Sequence, residues 1–401
     1  MNTSSAENVT ISAADIDQYK IDIKEYIFPK GWTWLIISLH TVVFLIGFVG
    51  NILVCLAVYR NHCMRTITNY FIVNLAVADF LVIVWCLPPS VIWDVTSTWF
   101  LGNEMCKIVV YLQNVSVIVS VLTLTFISLE RWYAICFPIE FKSTMGRAKT
   151  AIGIIWSFAL LFDVPELLVY RTVPDETLPF KTIFFTQCEP NWSTRTDTIW
   201  TIIKIILFYV IPLVLMVATY FQIIKVLWTP KRGSHSTDIT TRNSPTFAMR
   251  INALGSSRQI CSRRKASRML VAVVIMFAIC FLPVHLLCVL RLTVGLTNSE
   301  TNRAFSLISH WLCYANSAVN PVIYNFMSGK FRKEFRRAFA CCFRNSSTAR
   351  RLDSALTYRN APTNEENVVL FSRLLHQTSK RHCIVNANVN DCNSRFCTST
   401  V

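Results

Sequence analysis

Charge is scarce in this chain. Asp, Glu, Lys and Arg make up 15% of 401 residues, 53% are hydrophobic, and the mean hydropathy is +0.42. No soluble domain of this length needs so much apolar surface, so the composition excludes an ordinary soluble enzyme and points to a membrane protein. A cleavable signal peptide is also missing. Residues 1–30 are polar and lean acidic, so the first apolar run is expected to act as its own insertion signal. Repeats are absent. A transporter would show inverted repeats and matched broken helices, which makes it the weaker alternative. His285 and His310 lie in apolar runs, but no acid-and-histidine spacing resembles a metal site, so a membrane enzyme is disfavoured.

Cysteine is plentiful, yet its placement excludes a disulfide framework. Most of the fifteen fall in apolar runs or beside basic clusters. Cys106 and Cys188 fall on the opposite, oxidising face, where a bridge would join a loop to the mouth of a helix bundle.

What is abundant is apolar sequence in runs long enough to span a bilayer, which takes about 20 residues. Seven such runs lie near 32–59, 68–93, 105–135, 150–170, 198–228, 268–291 and 304–326. The formal net charge of +16 would suit nucleic acid, but its distribution does not. Lys231, Arg232, Arg242, Arg250, Arg258, Arg263, Arg264, Lys265 and Arg268 crowd one loop. Lys330, Arg332, Lys333, Arg336, Arg337 and Arg344 follow the seventh run. Basic clusters mark the cytoplasmic side, so the N-terminus is expected outside, the C-terminus inside, and lipid head groups rather than nucleic acid beside the basic residues.

The expected fold is an all-α membrane protein: a seven-helix bundle over residues 32–327 with an outer arm over 1–31. A short amphipathic helix over 328–342 carries Phe331, Phe335 and Phe339 on one face and ends in Cys341 and Cys342, candidates for acylation. Residues 343–401 read as a disordered tail, with Ser346, Ser347 and Thr348 open to phosphorylation and arrestin recruitment. Asn2, Asn8 and Asn191 stand in outer glycosylation patterns. Asn114 matches the same pattern but lies within a span. Residues 16–27 have helical spacing, residues 182–186 predict a strand of a capping β-hairpin, and 229–262 read as a flexible loop.

Polar residues inside spans are expensive and usually functional. Asn51, Asp79, Ser120, Asn316 and Asn320 share a depth. They form a structural hydrogen-bond network, a hydrated cluster able to hold a small cation such as Na+, or both at once. Glu130-Arg131-Trp132 closes the third span, where a breakable Glu130–Arg131 pair would keep an inner cavity shut. Pro212 and Tyr220 in span five, Phe281 and Pro283 in span six, and Asn320-Pro321 with Tyr324 in span seven mark kinked helices suited to a hinge. Lys204 in span five should point inward, and Asp163 and Glu166, three apart on span four, offer partners. The expected pair is Lys204–Glu166, with Asp163 the alternative.

Together these markers resemble the rhodopsin-like G-protein-coupled receptors over residues of about 32–341. They include Asn74 to Asp79, Trp156 and the run from Asn320 to Tyr324. Longer strings, such as Asn69 to Asn74, Thr98-Trp99-Phe100, Arg131 to Cys136, Phe141 to Thr144 and Ser309 to Ser317, resemble the orexin and allatotropin receptors. That resemblance implies an amidated peptide ligand, a heterotrimeric G protein of the calcium-mobilising Gq type and a plasma-membrane location. It implies Gln113 at the peptide amide, a pocket of Ser90, Trp93, Asn114, Glu166, Phe208, Val284, His310 and Tyr314, and a rim of Trp99, Glu189 and Trp192. Gln113 suits an amide because it both donates and accepts. Two departures stand out: Cys288, where orexin receptors carry Asn, and Lys204, where they carry an aromatic. A receptor for a different amidated neuropeptide is the nearest alternative.

Overall fold

In hydrocarbon a backbone can satisfy its own N–H and C=O groups only within the protein, so apolar runs of this length become helices. The computed structural model describes residues 13–28, 31–138, 144–175, 182–228, 247–293 and 300–343. The spans are Gly31–Arg60, Ile67–Thr96, Gly102–Cys136, Met145–Val169, Thr194–Trp228, Phe247–Thr293 and Glu300–Met327. Six have both the length and the hydropathy a membrane crossing needs. The seventh has the length, but it carries Ser309, His310, Asn316, Ser317 and Asn320. The result is a seven-helix membrane bundle.

Local chemistry sets the boundaries. Thr66, Thr144 and Ser193 each accept a backbone N–H three residues on, at the starts of spans two, four and five. Gly102 opens span three at φ 75°, a conformation glycine adopts at little cost. Span six begins at Phe247, inside the stretch whose sequence reads as a loop. The apolar part nucleates the helix, and each further residue then adds one hydrogen bond. Single-turn π stretches interrupt spans two and five at Val82–Cys86 and Ile206–Val210, each just before a proline.

The β-hairpin forms, but not where the aromatic run predicts. Strand β1 (Tyr170–Val173) pairs antiparallel with β2 (Gln187–Pro190), setting Arg171 opposite Glu189 and Thr172 opposite Cys188. Residues 183–185 bend instead, with Phe185 at φ 61°. They are pinned to the connection between spans two and three: Thr98 Oγ1 accepts the Phe185 N–H at 3.0 Å, and Trp99 N–H donates to Thr186 O at 2.8 Å. A disulfide from Cys188 to Cys106, with Cα atoms 5.7 Å apart, ties β2 to the first turns of span three. The arm helix runs Ala13–Ile27, buries Ile23 and touches the hairpin end of span two.

At the other end, a helix over Gly329–Phe343 packs Phe331 and Phe335 inward. Phe331 stacks on Tyr324 at 5.4 Å, and Asn61 Nδ2 donates to Glu334 at 3.1 Å. The side chains of Cys341 and Cys342 lie outside the described residues, as do Asn2, Asn8 and the chain beyond 343.

Spans one and seven meet closely at a kink. Pro321 has no N–H to offer the Ser317 carbonyl one turn earlier. Asn51 Nδ2 donates to that carbonyl at 3.0 Å and to Gly47 O at 2.9 Å. A side chain at Gly50 would meet the Pro321 ring, since a Cβ built there lies 2.7 Å from the nearest ring carbon. Gly50→Ala is therefore expected to cost about 1–3 kcal/mol by overpacking. Thermal unfolding of the purified chain reads this, and an unchanged midpoint contradicts the close approach.

Candidate functional site

The bundle presents polar constellations at three depths. Nearest the hairpin, spans two, three and seven bring together Tyr314, Ser90 and Gln113. The Tyr314 hydroxyl is 2.7 Å from Ser90 Oγ and 3.2 Å from Gln113 Oε1, to which it donates. With its carbonyl so engaged, Gln113 presents its amide nitrogen as a donor. One turn outward, His310 Nδ1 lies 3.0 Å from Asp94 Oδ1. Trp93 Nε1 donates to Gln187 of β2 at 3.1 Å, and its ring meets Trp99 edge-on at 5.8 Å. Trp99 is buried and donates to Gly102 O, so it packs the mouth beneath the disulfide.

Spans three, four and five form the second wall. Glu166 is buried and accepts from Lys204, from Asn114 and, at 2.8 Å, from Trp200 Nε1. The π stretch in span five begins two residues after Lys204. Asp163, the other potential partner, is fully buried, and neither carboxylate oxygen has a hydrogen-bond partner. Phe208 meets Phe162 edge-on at 4.9 Å, while Phe162 stacks on Trp200 at 5.0 Å. Trp192 donates to Asp197 at 3.0 Å. Glu189 and Asn191 are exposed, Val284 packs on the core, and Cys288 is a half-buried free thiol.

Below lies the cluster on spans two, three and seven. Asn320 Nδ2 donates to Asp79 at 2.8 Å, and the hydroxyls of Ser120 and Ser317 face the same carboxylate. A small cavity of about 30 Å³ is bounded by Asp79, Ser120, Asn316 and Ser317 and also by Gln113, Tyr314 and Phe281. It therefore connects the upper wall with the lower cluster. Phe281 stands between them, 5.0 Å from Phe277 and stacked with His285 at 6.1 Å.

At the opposite end, Arg131 donates twice to Glu130, at 2.7 and 2.6 Å, and Thr68 Oγ1 donates to Glu130 at 3.1 Å. Tyr220 and Tyr324 are buried nearby, and Pro283 and Pro321 sit inside their helices.

Three residues of these constellations escaped sequence reasoning. Asp94 could have been found as an acid near the end of a span. Trp200 could have been found as the neighbour one turn before Lys204 on the same helix face. Gln187 carried no signal, because its position depends on the hairpin register.

A seven-helix bundle with these markers is that of a membrane receptor. Residues 50–324 match the 7 transmembrane receptor (rhodopsin family), and the chain belongs to that family. Among its relatives, a QRFP-like peptide receptor of Branchiostoma floridae is 30% identical over 305 residues, covering 75% of this chain and 76% of the relative. Galanin receptor 2a of Danio rerio is 32% identical over 327 residues, covering 80% and 83%. The family consists of receptors, not enzymes.

The Lys204–Glu166 pair carries a direct test. Removing one partner of a buried ion pair strands the other and costs about 3–5 kcal/mol. Lys204→Glu and Glu166→Lys should each lower the unfolding midpoint, and the double exchange should recover most of the loss. A double variant no more stable than the worse single one excludes the pair.

Proposed function

We propose that this chain is a plasma-membrane receptor for an amidated neuropeptide of the allatotropin or orexin type. Its N-terminus lies outside, and it signals through a heterotrimeric G protein of the Gq type. The relatives support the coarser part of this reading, since both bear the names of peptide receptors. The observation that carries the finer part is the Tyr314–Gln113 contact. It fixes a neutral amide side chain in the wall of the cavity, with its nitrogen as a donor to a carbonyl. A monoamine would call for a carboxylate there. The peptide's C-terminus enters between the spans, with Ser90, Trp93, Asn114, Glu166, Phe208, Val284, His310 and Tyr314 around it and Glu189 and Trp192 at the rim.

Binding favours the state in which spans five and six splay at the Arg131 end. That state breaks the Glu130–Arg131 pair and admits the C-terminal helix of a G-protein α subunit. Asp79, Ser120, Asn316 and Asn320 would hold a Na+ ion, whose charge would favour the closed state. The donor set fits the ion: a carboxylate, a hydroxyl and two amides are the hard oxygen donors a small cation takes, and Asn320 Oδ1 is buried without a hydrogen-bond partner. Glycans on Asn2, Asn8 and Asn191, acyl chains on Cys341 and Cys342, and arrestin at the phosphorylated tail complete the reading.

Cells expressing the chain are tested for calcium release with amidated allatotropin-type, orexin-type, QRFP-type and galanin-type peptides side by side. A response to an allatotropin-type or orexin-type peptide is expected, lost with its free acid and reduced at least tenfold in potency by Gln113→Ala. A response to the QRFP-type or galanin-type peptide alone contradicts the ligand class and leaves the receptor reading in place. In the same cells Glu130→Gln should raise calcium signalling without peptide, because Arg131 loses its charged partner. Unchanged basal signalling contradicts the lock.

A further inference from the structure

The wall formed by spans three, four and five holds two acids and one base. Asp163 and Glu166 supply two carboxylates from one face of span four, and Lys204 supplies one ammonium. Glu166 accepts from three donors: Lys204, Asn114 and Trp200. Asp163 is fully buried, and both its oxygens lack hydrogen-bond partners. Glu166, Lys204 and Asn114 are the polar groups close enough to act on it. Asp197, at the first turn of span five, is engaged by Trp192, and Arg291 of span six is engaged by Ser306. A buried polar group without a partner is costly, and natural proteins keep one where something else completes it.

We propose that Asp163 is the open half of a cation subsite, completed by a basic side chain of the ligand. The inference rests on the peptide-receptor reading and adds a second ligand feature to it. Gln113 and Asn114 are consecutive on span three, and therefore about 100° apart around the helix. Gln113 faces Tyr314 on span seven, while Asn114 faces Glu166 on span four. The amide subsite and the cation subsite thus flank one helix, and one ligand reaches both when its basic residue lies close to its amidated end. An incoming ammonium or guanidinium gives the Asp163 carboxylate the partner that the wall does not supply. Lys204 stays paired with Glu166.

The probes are L-argininamide and its neutral isostere L-citrullinamide, applied to the purified full chain in detergent while thermal unfolding is followed. Both carry the carboxamide, and only the first carries the guanidinium. Argininamide is expected to raise the unfolding midpoint more than citrullinamide does at equal concentration. Asp163→Asn should abolish that difference, and Asp163→Glu should keep it. Circular dichroism of each variant reports folding, and Gln113→Ala should retain the difference, because the guanidinium does not depend on the amide contact. Equal shifts from the two probes, no shift from either, or a difference that persists in folded Asp163→Asn overturns the subsite. Failure of the calcium assay with a surviving argininamide effect would overturn the peptide reading and leave the subsite standing.

Discussion

Inside a bundle surrounded by hydrocarbon, a polar side chain or freed carbonyl must find its partner on another helix, because no solvent supplies one. The packing of this protein follows from that constraint. Pro321 frees the Ser317 carbonyl, and Asn51 reaches across from span one to take it. Asn74 donates to Thr123 on span three at 2.8 Å and accepts from Trp156 on span four at 2.8 Å, so one amide joins three helices. Asn320 ties span seven to Asp79 on span two. Apolar contacts fill the volume around these bonds, but an apolar face alone has many registers. The directional bonds select one.

The same constraint explains why the two ends of the bundle differ. The hairpin end is stapled by the Cys106–Cys188 disulfide, by the backbone ladder of β1 and β2 and by the buried Trp99. The Arg131 end is held without a covalent bond: by an ion pair between neighbours, the Tyr324–Phe331 stack, and Arg264 donating to Leu227 O at the tip of span five. Between them the cavity runs from Gln113 to Asp79 past Phe281. The two ends thus differ in how firmly they are held, and the cavity lies nearer the firmer one. Coupling the two ends needs two arrangements of nearly equal energy, and kinked helices supply them.

Most of this was legible in the sequence because membrane spans announce themselves by length and composition. The seven runs, the disulfide pair, the terminal amphipathic helix and the pairing of Lys204 with an acid of span four were all readable. The pair followed from cost: a lysine facing lipid is unfavourable, and two acids three apart on the next wall leave few alternatives. Local backbone geometry was less readable. The aromatic run 182–186 has strand composition, yet hydrogen bonds from Thr98 and Trp99 turn it away from β1, and those come from a distant loop. The start of span six at Phe247 was hidden because helix propagation does not require apolar periodicity. Which acid Lys204 would choose depended on Trp200 and Asn114, whose donors make Glu166 the better-satisfied anion. The orphan state of Asp163 is a property of the assembled wall that no single stretch of sequence shows.

The central claim is that a ligand bound at the hairpin end opens the Arg131 end. Spin labels at the exposed positions Phe137 and Lys265 would report the separation of spans three and six. They would be introduced as unnatural amino acids because the chain holds fifteen cysteines. Pulsed electron resonance on the purified receptor, without and with the peptide that evokes calcium release, gives the distance distribution directly. The account predicts a second, longer distance that grows with peptide occupancy. A single distance unchanged at saturating peptide, in a receptor that still activates its G protein, would contradict it.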